Sequence, residues 1–347
     1  MNYSQYENCK VCPRYCGVNR NLSKTGFCKE TSDLRVASSC LHLGEEPPIT
    51  GEHGSGTIFI SGCNLHCAFC QNYQISQKNM GSIVTPDDFA TMCIKLADKG
   101  AENINIVTGS HAIPSIADGL EKAKKRGLSI PVCWNTSSYE TIESINMLDG
   151  LVDIWLPDIK TLNPIMADSV FAAPDYPKVV KKSIRRMLEL APLVFEEKNS
   201  ITPAGAETQK MLSGVIIRHL VLPGRLDDTR LVLDWLKKHA DTKACISLMS
   251  QYTPVKPERT KESDASYAFT KAELERNSTA LASFQNRLIN KTEFSEIINL
   301  IHTYDFNYLF YQELEENTEW LPDFTKSQPF SNNLAKPVWH WKTGFNV

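Results

Sequence analysis

Three cysteines in one short loop constrain this chain more than any other feature. They stand in Ser61-Gly62-Cys63-Asn64-Leu65-His66-Cys67-Ala68-Phe69-Cys70-Gln71-Asn72, a C-x3-C-x2-C spacing straight after the apolar run Thr57 to Ile60. A loop this tight turns three sulfurs towards one point, the arrangement that an iron–sulfur cluster or a zinc ion requires.

The remaining cysteines sharpen that expectation. The chain carries 11 in 347 residues, and its first thirty residues lack the apolar core of a signal peptide. An unexported, cytoplasmic chain with so many thiols is expected to hold metal rather than disulfides. Cys9, Cys12, Cys16 and Cys28 form a second set, spaced C-x2-C-x3-C-x11-C, with Pro13, Gly17 and Gly26 supplying turns. Four thiolates gathered by loops suit a structural zinc or a further Fe–S cluster, against the plainer reading of four reduced thiols in a small irregular core. A formal charge of −3 gives no electrostatic reason to expect nucleic acid as a partner. No apolar run approaches the length of a membrane span.

From Thr57 onward, short β-rich runs alternate with helical patterns. Strands are expected near Thr57–Ser61, Asn103–Thr108, Ile130–Trp134, Val152–Leu156, Val215–Leu222 and Ala244–Leu248. Helices fit Pro86 onward with Thr85 as cap, then Pro114–Lys125, Tyr139–Leu148, Pro177–Leu190 and Thr229–Lys238. This alternation predicts an α/β fold, a partial (β/α)6 TIM-like barrel. The polar stretch Glu196 to Lys210 reads as an exposed loop. Thr270 with Glu273 makes a capping box for a helix to about Leu288, Thr292 opens another, and Phe306 to Leu314 reads as a strand. Trp320-Leu321-Pro322 and Trp339-His340-Trp341 suggest an aromatic cover. Three segments result: a Cys-rich extension over 1–55 with a metal site, the barrel over 56–255, and a helical and aromatic C-terminal extension over 256–347 that packs on it.

In barrels of this kind chemistry collects where the strands end. Those ends read Gly62-Cys63, Thr108-Gly109-Ser110-His111, Asn135-Thr136-Ser137-Ser138, Pro157-Asp158-Ile159-Lys160, Pro223-Gly224-Arg225 and Ser250-Gln251-Tyr252. Three thiolates leave a [4Fe–4S] cluster one ligand short, so one iron is open to an amine and a carboxylate from a small molecule.

The loop, with Phe69 before its last cysteine, resembles the radical S-adenosylmethionine (SAM) superfamily signature C-x3-C-x-aromatic-C. That resemblance implies a [4Fe–4S] cluster on Cys63, Cys67 and Cys70. SAM would chelate the open iron, and its reductive cleavage would yield a 5′-deoxyadenosyl radical for hydrogen abstraction. A flavodoxin- or ferredoxin-type donor would supply the electron. Further pieces resemble glycyl-radical-enzyme activases such as pyruvate formate-lyase activating enzyme: Cys70-Gln71-Asn72, Asp158-Ile159-Lys160 and Ile217 to Gly224. By that resemblance Asp158 and Lys160 are catalytic candidates. Thr108, Ser110, His111, Asn135, Ser137 and Arg218 are candidates for holding SAM.

Two departures stand out. The activases' G-G-E is here Thr108-Gly109-Ser110, so the SAM amine would fall to the Thr108 or Ser110 hydroxyls or to backbone carbonyls. Their D-T-N-G is here Asn135-Thr136-Ser137-Ser138, without the aspartate's charge. Three readings remain open: hydrogen abstraction from a protein or peptide, glycyl radical formation included; the same chemistry on another peptide side chain or a small molecule; or a non-catalytic Fe–S or zinc protein in electron transfer. His111 and His219 are ambiguous between the mouth and the barrel wall. Arg218, beside large aliphatics, needs an anionic partner such as Asp158.

Overall fold

The computed structural model describes residues 2–196, 209–255, 269–314, 321–331 and 334–345. Its strands are β1 (Leu34–His42), β2 (Ser55–Ile60), β3 (Ser82–Val84), β4 (Ile104–Val107), β5 (Val132–Thr136), β6 (Ile154–Pro157), β7 (Val194–Phe195), β8 (Met211–Leu220), β9 (Cys245–Met249), β10 (Leu309–Tyr311), β11 (Ala335–His340) and β12 (Gly344–Phe345). They form one sheet in the order β10-β9-β8-β6-β5-β4-β2-β1-β11-β12, with β3 on β1 and β7 on β8. From β2 to β10 every neighbour along this path is parallel. The six strands read from the sequence are present in that order, and the run near Phe306 adds a further parallel strand. The chain is an α/β protein built as a partial TIM-like barrel.

Parallel strands need crossover helices, and the sequence supplies them with start signals. Helix Pro86–Asp98 opens on a capping box between Thr85 and Asp88, with Pro86 at its first position. Helices Ile113–Lys125, Tyr176–Leu190 and Leu226–His239 follow the predicted pattern. The stretch Tyr139–Leu148 is helical only over Ile142–Asn146, because Thr141, not Tyr139, caps it. Helix Pro164–Phe171, capped by Asn163, is an addition to the sequence reading. The C-terminal helices run Lys271–Leu281 and Lys291–Tyr304.

Strand alternation gives the sheet two distinct faces. Ile58, Ile60, Ile104, Ile106, Trp134, Trp155, Ile217 and Ile246 are buried beneath the helices in the main core. Each such side chain contributes about 1.5–3 kcal/mol of transfer free energy. The opposite face carries Cys133, Ile154, Leu156, Ile216 and Cys245, packed with Ile49 from the segment after β1. Asn135 of β5 and Arg218 of β8 stand on this inner face and bond to each other over β6, the strand between theirs.

The ends of the chain depart from expectation. The Cys-rich extension carries a strand that the sequence reading did not include: β1 pairs antiparallel with β2 over Val36 to His42. The tail holding Trp339 is a strand too, pairing antiparallel with β1, so it enters the sheet rather than only packing on it through aromatics. All three segments expected from the sequence therefore contribute strands to one sheet. Of the polar insertion Glu196–Lys210, residues 197–208 lie outside the described residues, as does Trp320 of the aromatic tail. Among the described residues no helix is long and apolar enough to cross a membrane.

Candidate active site at the mouth of the barrel

The cysteine loop leaves β2 at Ser61, whose hydroxyl donates to Met80 O at 2.6 Å. Gly62 follows with φ +83°, and a Cβ there would lie 2.6 Å from Glu30 Cγ and 2.8 Å from His111 Nε2. Only glycine fits, on both counts. The loop is then held from several sides. Arg14 Nε donates to Asn64 O (2.8 Å), Asn64 Nδ2 to Tyr139 O (2.5 Å), Gln77 Nε2 to Cys67 O (3.0 Å), and Arg276 to His66 O. Phe69, the aromatic of the signature, sits edge-on to Phe171, Tyr252 and Phe284.

Burial pushes the Cys67 thiol up to about 12 and raises Cys63 and Cys70 as well, while the Lys160 ammonium pulls all three down. Cys63 Sγ accepts from Leu65 N at 3.3 Å, and Cys70 Sγ lies 3.2 Å from Ser76 Oγ. Among the described residues no three His, Cys, Asp or Glu side chains close on one point as ligands of a single ion. A cubane cluster does not ask for that, because each cysteine takes a different iron. Three neighbouring thiols on a braced loop, with a cation facing them, fit such a cluster.

Lys160 comes from the end of β6. Its ammonium lies 2.5 Å from Asp158 Oδ2, and Asp158 Oδ1 accepts from Arg218 Nε at 2.8 Å. Burial alone would raise the Asp158 carboxyl; Arg218 and Lys160 outweigh it and hold it below the usual range. Arg218 Nη2 donates to Asn135 Oδ1 (2.6 Å), and Nη1 faces Glu45 (3.6 Å) and Glu46 (3.9 Å). Burial raises both glutamates, with Arg218 opposing. The guanidinium is thus engaged by Asp158, Asn135 and an acidic pair. Glu45 and Glu46 were not legible as inner-barrel groups, since Glu45-Glu46-Pro47-Pro48 reads as a loop leading into the barrel.

The strand ends of β4 and β5 divide in two. Ser110 Oγ lies 2.8 Å from Glu140 Oε1 and 3.1 Å from Thr136 Oγ1, all of them buried. Glu140 also accepts from Trp134 Nε1 (2.7 Å), and burial raises its carboxyl despite these donors. His111 is buried against Gly62; burial drops its imidazole to about 3, and its carbonyl accepts from Arg20 Nη1 at 2.6 Å. His219 has Ile159 O (2.8 Å) and Thr229 Oγ1 (3.1 Å) on its two ring nitrogens. Thr108 and Ser137 are the partly exposed side chains of these turns. Thr108 has φ +65° and Ser138 φ +64°, a left-handed conformation that costs a non-glycine residue about 1–2 kcal/mol.

Cys9, Cys12, Cys16 and Cys28 gather in the extension, close enough that charge on any of the other three would raise Cys12. All four are free thiols, with Cys9, Cys12 and Cys28 buried.

Residues 57–196 match the family model described as the radical SAM superfamily. An uncharacterized protein of Methanocaldococcus jannaschii is 31% identical over 257 residues, covering 72% of this chain and 67% of that protein. The 7-carboxy-7-deazaguanine synthase of Rhodopirellula baltica is 28% identical over 167 residues, covering 46% of this chain and 58% of the synthase. Among solved structures, Streptococcus suis SuiB bound to precursor peptide SuiA is similar at a TM-score of 0.44 and 12% identity, over 72% of this chain; the chain spans about half of SuiB, 46% of its length. The family match and the Methanocaldococcus relative agree with the cysteine loop at the end of β2: the chain belongs to the radical SAM superfamily, whose members are enzymes built on a [4Fe–4S] cluster and SAM.

Proposed function

We propose that Cys63, Cys67 and Cys70 hold the cluster, that SAM lies across the ends of β4, β5 and β6, and that the substrate is a protein or peptide which gives up a hydrogen atom there. When bound, the cluster and SAM supply one-electron cleavage of the sulfonium bond and, through it, hydrogen-atom abstraction. Lys160 is the residue for the SAM carboxylate, with Asp158 and Arg218 fixing its position. The Thr108 and Ser137 hydroxyls serve the ammonium, because Ser110 is already bonded to Glu140 and Asn135 to Arg218. The observation that carries this reading is the Lys160 ammonium, 2.5 Å from Asp158 Oδ2 and near enough to the three thiols to lower each of them.

The activase-like Asp158-Ile159-Lys160 and Pro223-Gly224 segments favour a backbone Cα–H, as in glycyl radical formation on a partner enzyme. A second reading, a small-molecule substrate, draws on the similarity to 7-carboxy-7-deazaguanine synthase. Anaerobic, iron- and sulfide-reconstituted protein reduced with dithionite should release 5′-deoxyadenosine from SAM. No release above a Cys63→Ala control would refute the enzyme reading. Adding the high-mass and low-mass fractions of a cell extract separately then decides between the substrates. Stimulation by the low-mass fraction alone would overturn the protein substrate.

A further inference from the structure

The four cysteines of the extension have no part in SAM binding, yet they are furnished as ligands. We propose that Cys9, Cys12, Cys16 and Cys28 hold a second iron–sulfur cluster that passes electrons to the SAM-binding one through Phe27 and His66. The proposal rests on the cluster assignment at Cys63, Cys67 and Cys70.

The first argument is the hydrogen bonding of the sulfurs. Cys16 Sγ accepts from Phe27 N at 3.3 Å and Cys9 Sγ from Arg20 Nη1 at 3.9 Å. The backbone N–H of Arg14 lowers Cys12 and that of Glu30 lowers Cys28, each from two residues on. The same two-residue turn recurs at the barrel mouth, where Cys63 accepts from Leu65 and Cys70 from Asn72. N–H groups aimed at sulfur favour thiolates, and they also set the potential of a cluster bound there.

Charge points the same way. Arg20 is 1% exposed, and its N–H groups donate to the carbonyls of Glu30, Thr31 and His111 as well as to Cys9. Carbonyls solvate a guanidinium but do not neutralise it. The Tyr6 ring lies 4.1 Å from it and the Glu30 carboxylate is near enough to be lowered by it; anionic sulfur at Cys28 and Cys9 would add to the charge that balances this buried cation.

The path between the two sites favours iron over zinc, since only a redox-active centre has use for it. Phe27 bonds Cys16 through its amide, and its ring stacks on His66 with centroids 4.1 Å apart. His66 is covalently joined to Cys67. Gly26 lets this turn close: a Cβ there would lie 3.0 Å from Cys16 Sγ. Arg14 also lies over the Phe27 ring, 3.7 Å from its centroid, and grips the cysteine loop through Asn64 O. One electron would enter the extension's cluster from a flavodoxin- or ferredoxin-type donor, which is oxidised. It would leave for the SAM-binding cluster, returning the first cluster to its starting state, and end in the broken sulfonium bond. No proton moves and no bond is made at the relay.

The test removes the barrel site and keeps the extension. A Cys63→Ala/Cys67→Ala/Cys70→Ala variant, reconstituted anaerobically, should retain about four iron and four sulfide per chain and show a reduced-cluster EPR signal that SAM does not alter. Zinc in place of iron, or no metal, would overturn the proposal. In the full-length wild-type chain mixed with reduced flavodoxin and freeze-quenched, the SAM-insensitive signal should appear before the SAM-sensitive one. The reverse order would overturn the relay. If the wild type makes no 5′-deoxyadenosine while the triple variant still binds iron and sulfide, the SAM reading fails and the second cluster stands.

Discussion

Arg218→Met tests the inner-barrel network most directly. The guanidinium binds Asp158 at 2.8 Å and Asn135 at 2.6 Å and faces Glu45 and Glu46 at 3.6 and 3.9 Å. Methionine keeps much of the volume and removes the charge, leaving three buried carboxylates with Lys160 as the near cation. Removing one partner of a buried ion pair costs about 3–5 kcal/mol, mainly because the other charge is left without compensation. At neutral pH the variant should therefore lose about 3–5 kcal/mol in urea denaturation, a large share of what holds a domain folded.

The sign with pH is set by the same residues. Burial already holds Glu45 and Glu46 above the ordinary carboxylate value, and Arg218 opposes that rise on both and on Asp158. Without Arg218 all three move up. A carboxyl whose folded value exceeds its unfolded value weakens the fold at high pH, and the penalty fades as pH falls towards about 4.5. The deficit of Arg218→Met should thus shrink between pH 7.5 and 5, and adding Glu46→Gln should recover part of it in a double-mutant cycle. A loss below about 1 kcal/mol, or one independent of pH, would refute the network as described.

Three further outcomes follow from local geometry. Gly109→Ala places a methyl group against Trp134 Cη2 and 2.7 Å from Ile116 Cδ1, so it should lower stability by about 1–3 kcal/mol in thermal melts. Thr108→Gly relieves a φ of +65° and should gain about 0.5–1 kcal/mol while weakening SAM binding in equilibrium dialysis; unchanged affinity would remove Thr108 from the SAM site. Glu273 is held down to about 2: burial opposes ionisation, but Lys78, Thr270 N and Lys29 outweigh it. Its contribution to docking helix Lys271–Leu281 should persist above about pH 4.5 and fade towards pH 2, seen as faster hydrogen exchange in that helix, and Glu273→Gln should abolish the dependence.

The barrel was legible because its strands obey simple rules. Runs such as Ile104–Val107 and Ile154–Pro157 are short, apolar and separated by capped helices, and each occurs where the pattern puts it. Strand β1 hid because Ala37-Ser38-Ser39-Cys40 is buried on both faces and small, so it has neither alternation nor β-branched bulk. Strand β11 hid behind Trp339, which with Trp341 reads as part of a packed cover. Glu140 was concealed differently: it follows Tyr139 within an apparent helix, and only the fold shows its carboxylate on Ser110 and Trp134.

The two turns that depart from the activase pattern join sequence to chemistry. Where the activases have glycine, at the start of G-G-E and the end of D-T-N-G, this chain has Thr108 and Ser138, and both keep positive φ. A positive φ costs a non-glycine residue about 1–2 kcal/mol, so both side chains call for an explanation. Ser138 has a use away from the mouth: its hydroxyl donates to Asp158 O at 2.8 Å and ties the β5 turn to the β6 turn that carries Lys160. Thr108 has no comparable bond among the described residues, and its side chain is partly exposed. A strained, β-branched residue with an unengaged hydroxyl at a strand end is poorly explained by stability alone. That is why Thr108, rather than the better-buried Ser110, is the residue proposed for the SAM ammonium.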